Sequence, residues 1–204
     1  MSVETTDFYL TIASPFRASE VKEKGSRFIA NLYPVANKVE AEMHLATLRK
    51  EFYDASHYCY AYRLGAQGGI VRAADDGEPS GTAGKPILFV LHGAKLVNTL
   101  CVVTRYFGGT KLGTGGLARA YSEAAQLAVK SAKVKTVYID DTLLLTLGYD
   151  ELAPLERFLS QYELRRYDAE YWNGITMKVD IRRSLVQKFK AELQDKFLGK
   201  IIVT

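Results

Sequence analysis

The stretch TLLLTLGYDELAPLERFLSQYELRRYDAEYWNGITMKVDIR, Thr142–Arg182, carries the periodicities that decide the architecture. Thr142–Tyr149 alternates leucine with threonine, as a half-buried strand does. Glu151–Tyr162 changes period, so that Leu152, Leu155, Phe158 and Leu159 fall on one face of a helix. Glu163–Tyr171 and Ile175–Arg182 return to strand character, joined across Trp172-Asn173-Gly174, a connection of hairpin composition. In the second of them Ile175, Met177, Val179 and Ile181 face one way, and Thr176, Lys178 and Asp180 the other. Downstream, Ser184 is placed to cap a helix carrying Leu185, Phe189, Leu193 and Phe197. Gly199 then releases the chain into a last strand, Lys200–Thr204.

Strand, helix, two strands, helix, strand: this order, βαββαβ, is the ferredoxin-like split motif. Upstream the texture changes. Of the 16 glycines, twelve lie between Gly65 and Gly116, whereas Ala118 onward reads as an ordinary helix, ARAYSEAAQLAVKSAK. The boundary is placed near Lys133–Thr136, giving a first domain of residues 1–134 and a second of 135–204. The first domain is also α/β. Phe8–Ala13, Phe28–Tyr33, Tyr58–Leu64 and Leu100–Thr104 read as strands. Asn37 with Glu40 three residues on starts a helix over Val39–Phe52. The run Gly81-Thr82-Ala83-Gly84 precedes a helix through Pro86–Leu91, and Leu117–Ala132 is a third. The fold class is therefore α/β (α+β), in two domains.

With 204 residues, 48% hydrophobic and 25% charged, the chain has the composition of a folded globular protein. Cys59 and Cys101 are too few for a disulfide framework and fit a reducing cytoplasm. No apolar stretch reaches the roughly 20 residues that cross a bilayer, and Met1-Ser2-Val3-Glu4 lacks the basic-then-apolar order of a signal peptide. A cytoplasmic protein without membrane association is expected. The net charge is +4, and all of it resides up to Lys133, where 16 Lys and Arg face 12 Asp and Glu. Any field attracting polyanions comes from that part.

Three stretches of the first domain exceed what a plain loop requires: DDGEPSGTAG from Asp75, TRYFGG from Thr104, and KLGTGGLAR from Lys111. A buried strand ends at Arg105, and a glycine cluster then opens a helix. Helix starts expose unpaired N–H groups and carry partial positive charge, and glycine lets an anion approach the main chain. Arg105, Lys111 and Arg119, with Gly113, Thr114, Gly115 and Gly116, thus form a candidate anion or nucleic-acid site. The alternative is structural: the glycines serve turns, and Arg105 holds the acidic loop Asp75–Glu78 in place.

Other chemistries find less support. The glycine spacing departs from the phosphate loop GxxxxGK[ST], since no Lys-Ser or Lys-Thr follows Gly113 or Gly116. His57 and Cys59 share a strand face but supply only two of the three or four ligands a metal needs. Asp75, Asp76 and Glu78 lack the EF-hand loop pattern. Ser80 does not stand in a GxSxG elbow. No cofactor and no metal are expected. Arg182, Arg183, Lys188, Lys190, Lys196 and Lys200 make a basic face on the second domain, without the aromatic pair on which RNA-reading ferredoxin-like domains stack bases.

These residues resemble the signature of the YigZ/IMPACT family. It is carried by Gly84, Ile87-Leu88, Leu91, Leu96, Val102-Val103, Arg105-Tyr106-Phe107-Gly108-Gly109 and Leu112-Gly113. Around it stand KGSRFIA from Lys24, the His57/Cys59 strand, DDGEPSGTAGKPI from Asp75 and GTGGLARAY from Gly113. Arg27, His57, Asp75, Asp76, Glu78, Ser80, Thr82 and Tyr106 form the cluster of motif residues. The resemblance implies a first domain related to the second domain of a small-subunit ribosomal protein, and a second similar to domain V of elongation factor G. Eukaryotic members regulate translation through a stress-kinase pathway using an additional N-terminal domain. Because Met1 leads almost directly into the motifs here, that role is not expected to carry over. No catalytic residues come with the resemblance. The expectation is a non-enzymatic regulator or accessory factor whose partners are RNA, the ribosome or translation factors. The rivals are an enzyme acting on a small phosphorylated or anionic metabolite, with Asp75, Asp76 and Glu78 as its acid/base or metal groups, and a module docking a protein partner through the second domain.

Overall fold

A computed structural model of the chain describes residues 7–164, 166–171 and 174–204. In chain order the first part contains β1 (Phe8–Ile12), β2 (Phe16–Glu23), β3 (Ser26–Pro34), α1 (Lys38–Glu51), β4 (His57–Leu64), β5 (Ile70–Ala74), α2 (Gly84–Gly93), β6 (Thr99–Tyr106), α3 (Gly113–Ser131) and β7 (Val134–Tyr138). Five strands form one sheet in the order β2-β3-β6-β4-β5, and β1 pairs with β7 in a separate two-stranded sheet. Central β6 is TLCVVTRY, buried from Thr99 through Arg105, as a strand covered on both faces must be.

Strand alternation distributes these residues between two cores. Cys101 and Val103 join Phe28, Ala30, Cys59 and Ala61 beneath α2 and α3, which contribute Ile87, Leu91, Leu117, Tyr121 and Ala124. Leu100 and Val102 join Tyr58, Tyr62 and Leu64 beneath α1, with Ala41, Leu45 and Leu48. Arg105 lies two residues beyond Val103, so it continues the α3 face although it is charged. The register places Phe28 opposite Arg105 on one side and His57 opposite it on the other. Phe28, Arg105 and His57 therefore form a row across three strands.

Asn37 caps α1 as expected: its side chain accepts from the Glu40 N–H at 3.0 Å. The Glu40 carboxylate reaches back to the Ala36 N–H at 2.8 Å. Strands β2 and β5 went unread in the sequence. Both are sheet edges. β2 is highly charged and its pairing shifts register between Arg17 and Glu20, while β5 is exposed along nearly its whole length. Neither displays a period of two.

The chain divides between Val137 and Tyr138; Tyr9–Val137 is one unit, and Asp7 and Phe8 belong with the second. That second unit contains β8 (Asp140–Leu147), α4 (Leu152–Leu159), β9 (Arg166–Tyr171), β10 (Ile175–Arg182), α5 (Val186–Phe197) and β11 (Ile202–Val203). Its antiparallel order β11-β8-β10-β9 is that of the ferredoxin-like motif. Ile175, Met177, Val179 and Ile181 pack with Leu143, Leu145 and Leu147 against Phe158, Phe189 and Phe197. The connection proposed across Trp172 and Asn173 lies outside the described residues. The Ser184 cap is not formed. A 3₁₀ turn, Arg183–Leu185, precedes α5, whose start at Leu185 has no side-chain cap. The Ser184 hydroxyl donates to Asp7 instead.

Candidate functional site

The site is built where the Phe28–Arg105–His57 row runs under the start of α3. Arg105 is only 4% exposed. Its Nη1 donates to Glu78 Oε1 at 2.5 Å and its Nη2 to Ser26 Oγ at 3.2 Å. The guanidinium lies 5.3 Å from the ring centre of Phe28 and 5.4 Å from that of Phe107. Nε is buried without a partner. A charge this buried demands a counter-charge nearby, and Glu78, its side chain only 4% exposed, provides it. Glu78 Oε1 also accepts from the Tyr121 hydroxyl at 2.8 Å. Tyr121 in turn accepts from the Cys59 thiol at 3.2 Å. Burial drives the Cys59 and Tyr121 ionisations upward, so both groups are neutral here.

The acidic loop is anchored one carboxylate at a time. Asp75 accepts the N–H groups of Gly81 at 2.8 Å, Ala83 at 3.0 Å and Gly84 at 2.8 Å. It thereby fills the N-terminus of α2, which has no cap of its own. Asp76 accepts from the Tyr58 N–H at 2.7 Å and pairs with Arg49 at 2.6 Å. His57 Nδ1 lies 2.8 Å from the Asp76 carbonyl. A carbonyl only accepts, so Nδ1 donates to it, while Nε2 faces Glu78 Oε1 at 3.9 Å.

Burial raises the Asp75 carboxyl and the three amide donors lower it by more, so it stands below its ordinary 3.8. The stabilisation is complete above about pH 4 and is lost as pH falls through the lowered value. Asp75→Asn should cost about 1–3 kcal/mol at neutral pH. In urea denaturation that difference from the parent should shrink by pH 3. A cost independent of pH would show that the charge on Asp75 does not hold α2.

The start of α3 is different. Gly113 through Gly116 are its first turn, with Gly113 at φ +73°. No side chain caps it and its first turn holds no acid. Gly113 and Thr114, with Lys111, border a cavity of about 360 Å³ whose other walls include His57, Glu78, Pro79, Arg105 and Phe107. Lys111 and Arg119 are exposed and have no ion-pair partner among the described residues. A larger hollow of about 410 Å³ beside Phe89, Gln126 and Lys130 lacks any charged cluster.

Of the residues singled out in the sequence, Arg105, Lys111, Gly113, Thr114, His57 and Glu78 thus meet at one cavity. Gly115, Gly116 and Arg119 continue along α3 outside it; Arg119 lies 3.7 Å from the point a Gly115 Cβ would occupy. Arg27 and Tyr106 stand opposite each other in the ladder, on the other face. There Arg27 pairs with Glu20 at 2.7 Å, and Tyr106 donates to Asp54 at 3.0 Å. Ser80 is exposed, and Thr82 closes its own turn onto the Pro79 carbonyl at 2.6 Å. Ser26, Phe107 and Tyr121 also belong to the network; each stands inside a quoted motif, but none is among the candidate site residues. Tyr121 ends the GTGGLARAY motif and lies four residues on from Leu117, on the same helix face. Among the described residues no three His, Cys, Asp or Glu side chains are grouped to hold a metal.

The basic face expected on the second unit is largely neutralised from within. Arg183 meets Asp141 at 2.8 Å, and Arg182 stacks 3.6 Å over Tyr138 and approaches Asp7 at 3.8 Å. Lys188 and Lys200 approach Glu192 and Glu151, each at 3.7 Å. Lys196 lies 5.2 Å over Phe158.

Known proteins carry the same arrangement of sequence. Residues 24–129 match the Impact N-terminal domain, and residues 145–200 match a domain of unknown function, DUF1949. The chain is 34% identical to the IMPACT family member YigZ of Escherichia coli (strain K12), covering 95% of each. It is 33% identical to the IMPACT family member YvyE of Bacillus subtilis (strain 168), over 94% of this chain and 88% of that one. A crystal structure of a hypothetical protein superposes with a TM-score of 0.68 at 30% identity, covering 97% of this chain and 96% of the other. No helix among the described residues is long and apolar enough to cross a membrane. With both domains matched in order and relatives aligned over nearly their whole length, the chain belongs to the IMPACT family.

Proposed function

We propose that this protein is a non-enzymatic accessory factor of translation that binds the phosphate backbone of nucleic acid at the start of α3. The observation carrying this reading is the contrast between two glycine-led helix starts in one domain. Asp75 occupies the first. The second, uncapped and free of acid, is left to Lys111 and Arg119. Arg105 organises the floor through Glu78 and does not grip the ligand. The resemblance of the two domains to a ribosomal-protein domain and to elongation factor G domain V supports a partner in translation.

The test is fluorescence anisotropy of labelled single-stranded RNA over a range of salt. Affinity should fall steeply with salt, and Lys111→Ala and Arg119→Ala should each reduce the slope by about one. Unchanged affinity and slope in the double variant would remove the reading. The rival, an enzyme acting on a small phosphorylated metabolite through Asp75, Asp76 and Glu78, keeps only Glu78 of the three at the cavity wall. Thermal stabilisation by phosphorylated metabolites, with no RNA binding, would favour it.

A further inference from the structure

We propose that the cavity receives one ribonucleotide of a single-stranded RNA and that Glu78 Oε2 accepts a hydrogen bond from its ribose 2′-hydroxyl. This rests on the nucleic-acid reading above. The observation is the one-sidedness of Glu78. Arg105 Nη1 at 2.5 Å, the Tyr121 hydroxyl at 2.8 Å and His57 Nε2 at 3.9 Å all converge on Oε1. Oε2 has no partner among the described residues, yet the side chain is 96% buried and lines the cavity. A carboxylate only accepts, so a ligand filling this place must present a donor. A bare carboxylate would repel an anionic ligand. This one is matched by Arg105, so the floor carries no net charge from the pair.

The other walls define the rest of the ligand. At the mouth, the Gly113 and Thr114 amides and Lys111 suit a phosphate. At the side, Phe107 is 49% exposed and offers a stacking surface for a base. A phosphate, a planar ring and a hydroxyl donor together describe a ribonucleotide; a deoxynucleotide lacks the hydroxyl. The volume of about 360 Å³ sits near the lower end of the roughly 300–1,000 Å³ of small-ligand sites, enough for one such unit.

The experiment compares a labelled single-stranded RNA, the DNA of the same sequence and the fully 2′-O-methylated RNA, using the intact protein and anisotropy. RNA should bind about tenfold or more tightly than either of the others, the loss expected for one hydrogen bond to a charged acceptor. Glu78→Gln, verified as folded by circular dichroism, should lower the RNA-to-DNA ratio several-fold, since its amide oxygen still accepts the hydroxyl but without the charge. Should that variant not fold, the two modified ligands still decide the matter on the parent protein. Equal binding of all three ligands overturns the ribose contact and leaves the backbone reading standing. Binding of none overturns both. A ratio undiminished in folded Glu78→Gln shows that another group reads the hydroxyl and overturns the assignment to Glu78.

Discussion

Gly108→Ala is expected to destabilise the first unit by roughly 3 kcal/mol or more, at the upper end of overpacking costs. The loop leaving β6 runs directly against the β2–β3 turn, and a Cβ on residue 108 would lie 1.9 Å from the Gly25 carbonyl carbon, 2.2 Å from its oxygen and 2.3 Å from the Ser26 nitrogen. All three are main-chain atoms, so no flexible side chain can yield. Relief requires the turn to separate from the loop. That breaks the contact of the Gly108 N–H with Ser26 Oγ at 3.1 Å and disturbs the hydroxyl that holds Arg105. The neighbouring glycine is the control. Gly109 has φ +84° and nothing within 4 Å of its would-be Cβ, so Gly109→Ala meets only the left-handed backbone penalty of about 1–2 kcal/mol. Urea denaturation of both variants measures the difference. A Gly108→Ala cost no greater than that of Gly109→Ala would mean the two segments are not seated this closely.

The second large effect concerns the buried ion pair. Arg105→Met leaves the Glu78 carboxylate buried without its counter-charge, and Glu78→Leu does the same to the guanidinium. Each single replacement should cost about 3–5 kcal/mol. The double variant Arg105→Met/Glu78→Leu removes both charges from an environment already lined by Phe28, Cys59 and Val103. It should recover most of that loss, because an apolar pair needs neither solvation nor a partner. A double-mutant cycle in urea is the measurement. Simple additivity, or single-variant costs near those of exposed pairs, would show that the two charges do not depend on each other.

The second unit was legible because each of its elements has one face toward a single core, so side-chain period translates directly into strand or helix. The first unit was legible in its centre and not at its margins. β6 is announced by a buried run and β4 by alternation, while β2 and β5 pair on one side only and follow no alternation. The glycine cluster from Gly113 opens a helix, as its sequence suggests, and lies within that helix's own first turn. Ser184 had the chemistry of a cap, yet Asp7, distant in sequence, took its hydroxyl. In the site, the residues were nearly all nameable in advance and their partners were not. Arg27 and Tyr106 share motifs with Phe28 and Arg105, but each is one residue out of phase with them and so lies across the sheet.

Local periodicity, turn-forming glycines and the Asn37–Glu40 cap are properties of neighbouring residues, and these the amino-acid order establishes unaided. It also establishes that Arg105 ends a buried strand close to a glycine-led helix. Which carboxylate answers that arginine is a different kind of question. Asp75, Asp76 and Glu78 are alike in charge and adjacent in the chain. Packing sends the first to the amides of α2, the second to Tyr58 and Arg49, and the third beneath α3 to Arg105. A charge withdrawn from water is satisfied by whatever opposite charge the fold delivers within bonding distance, and that distance exists only after sheet and helices have closed on one another.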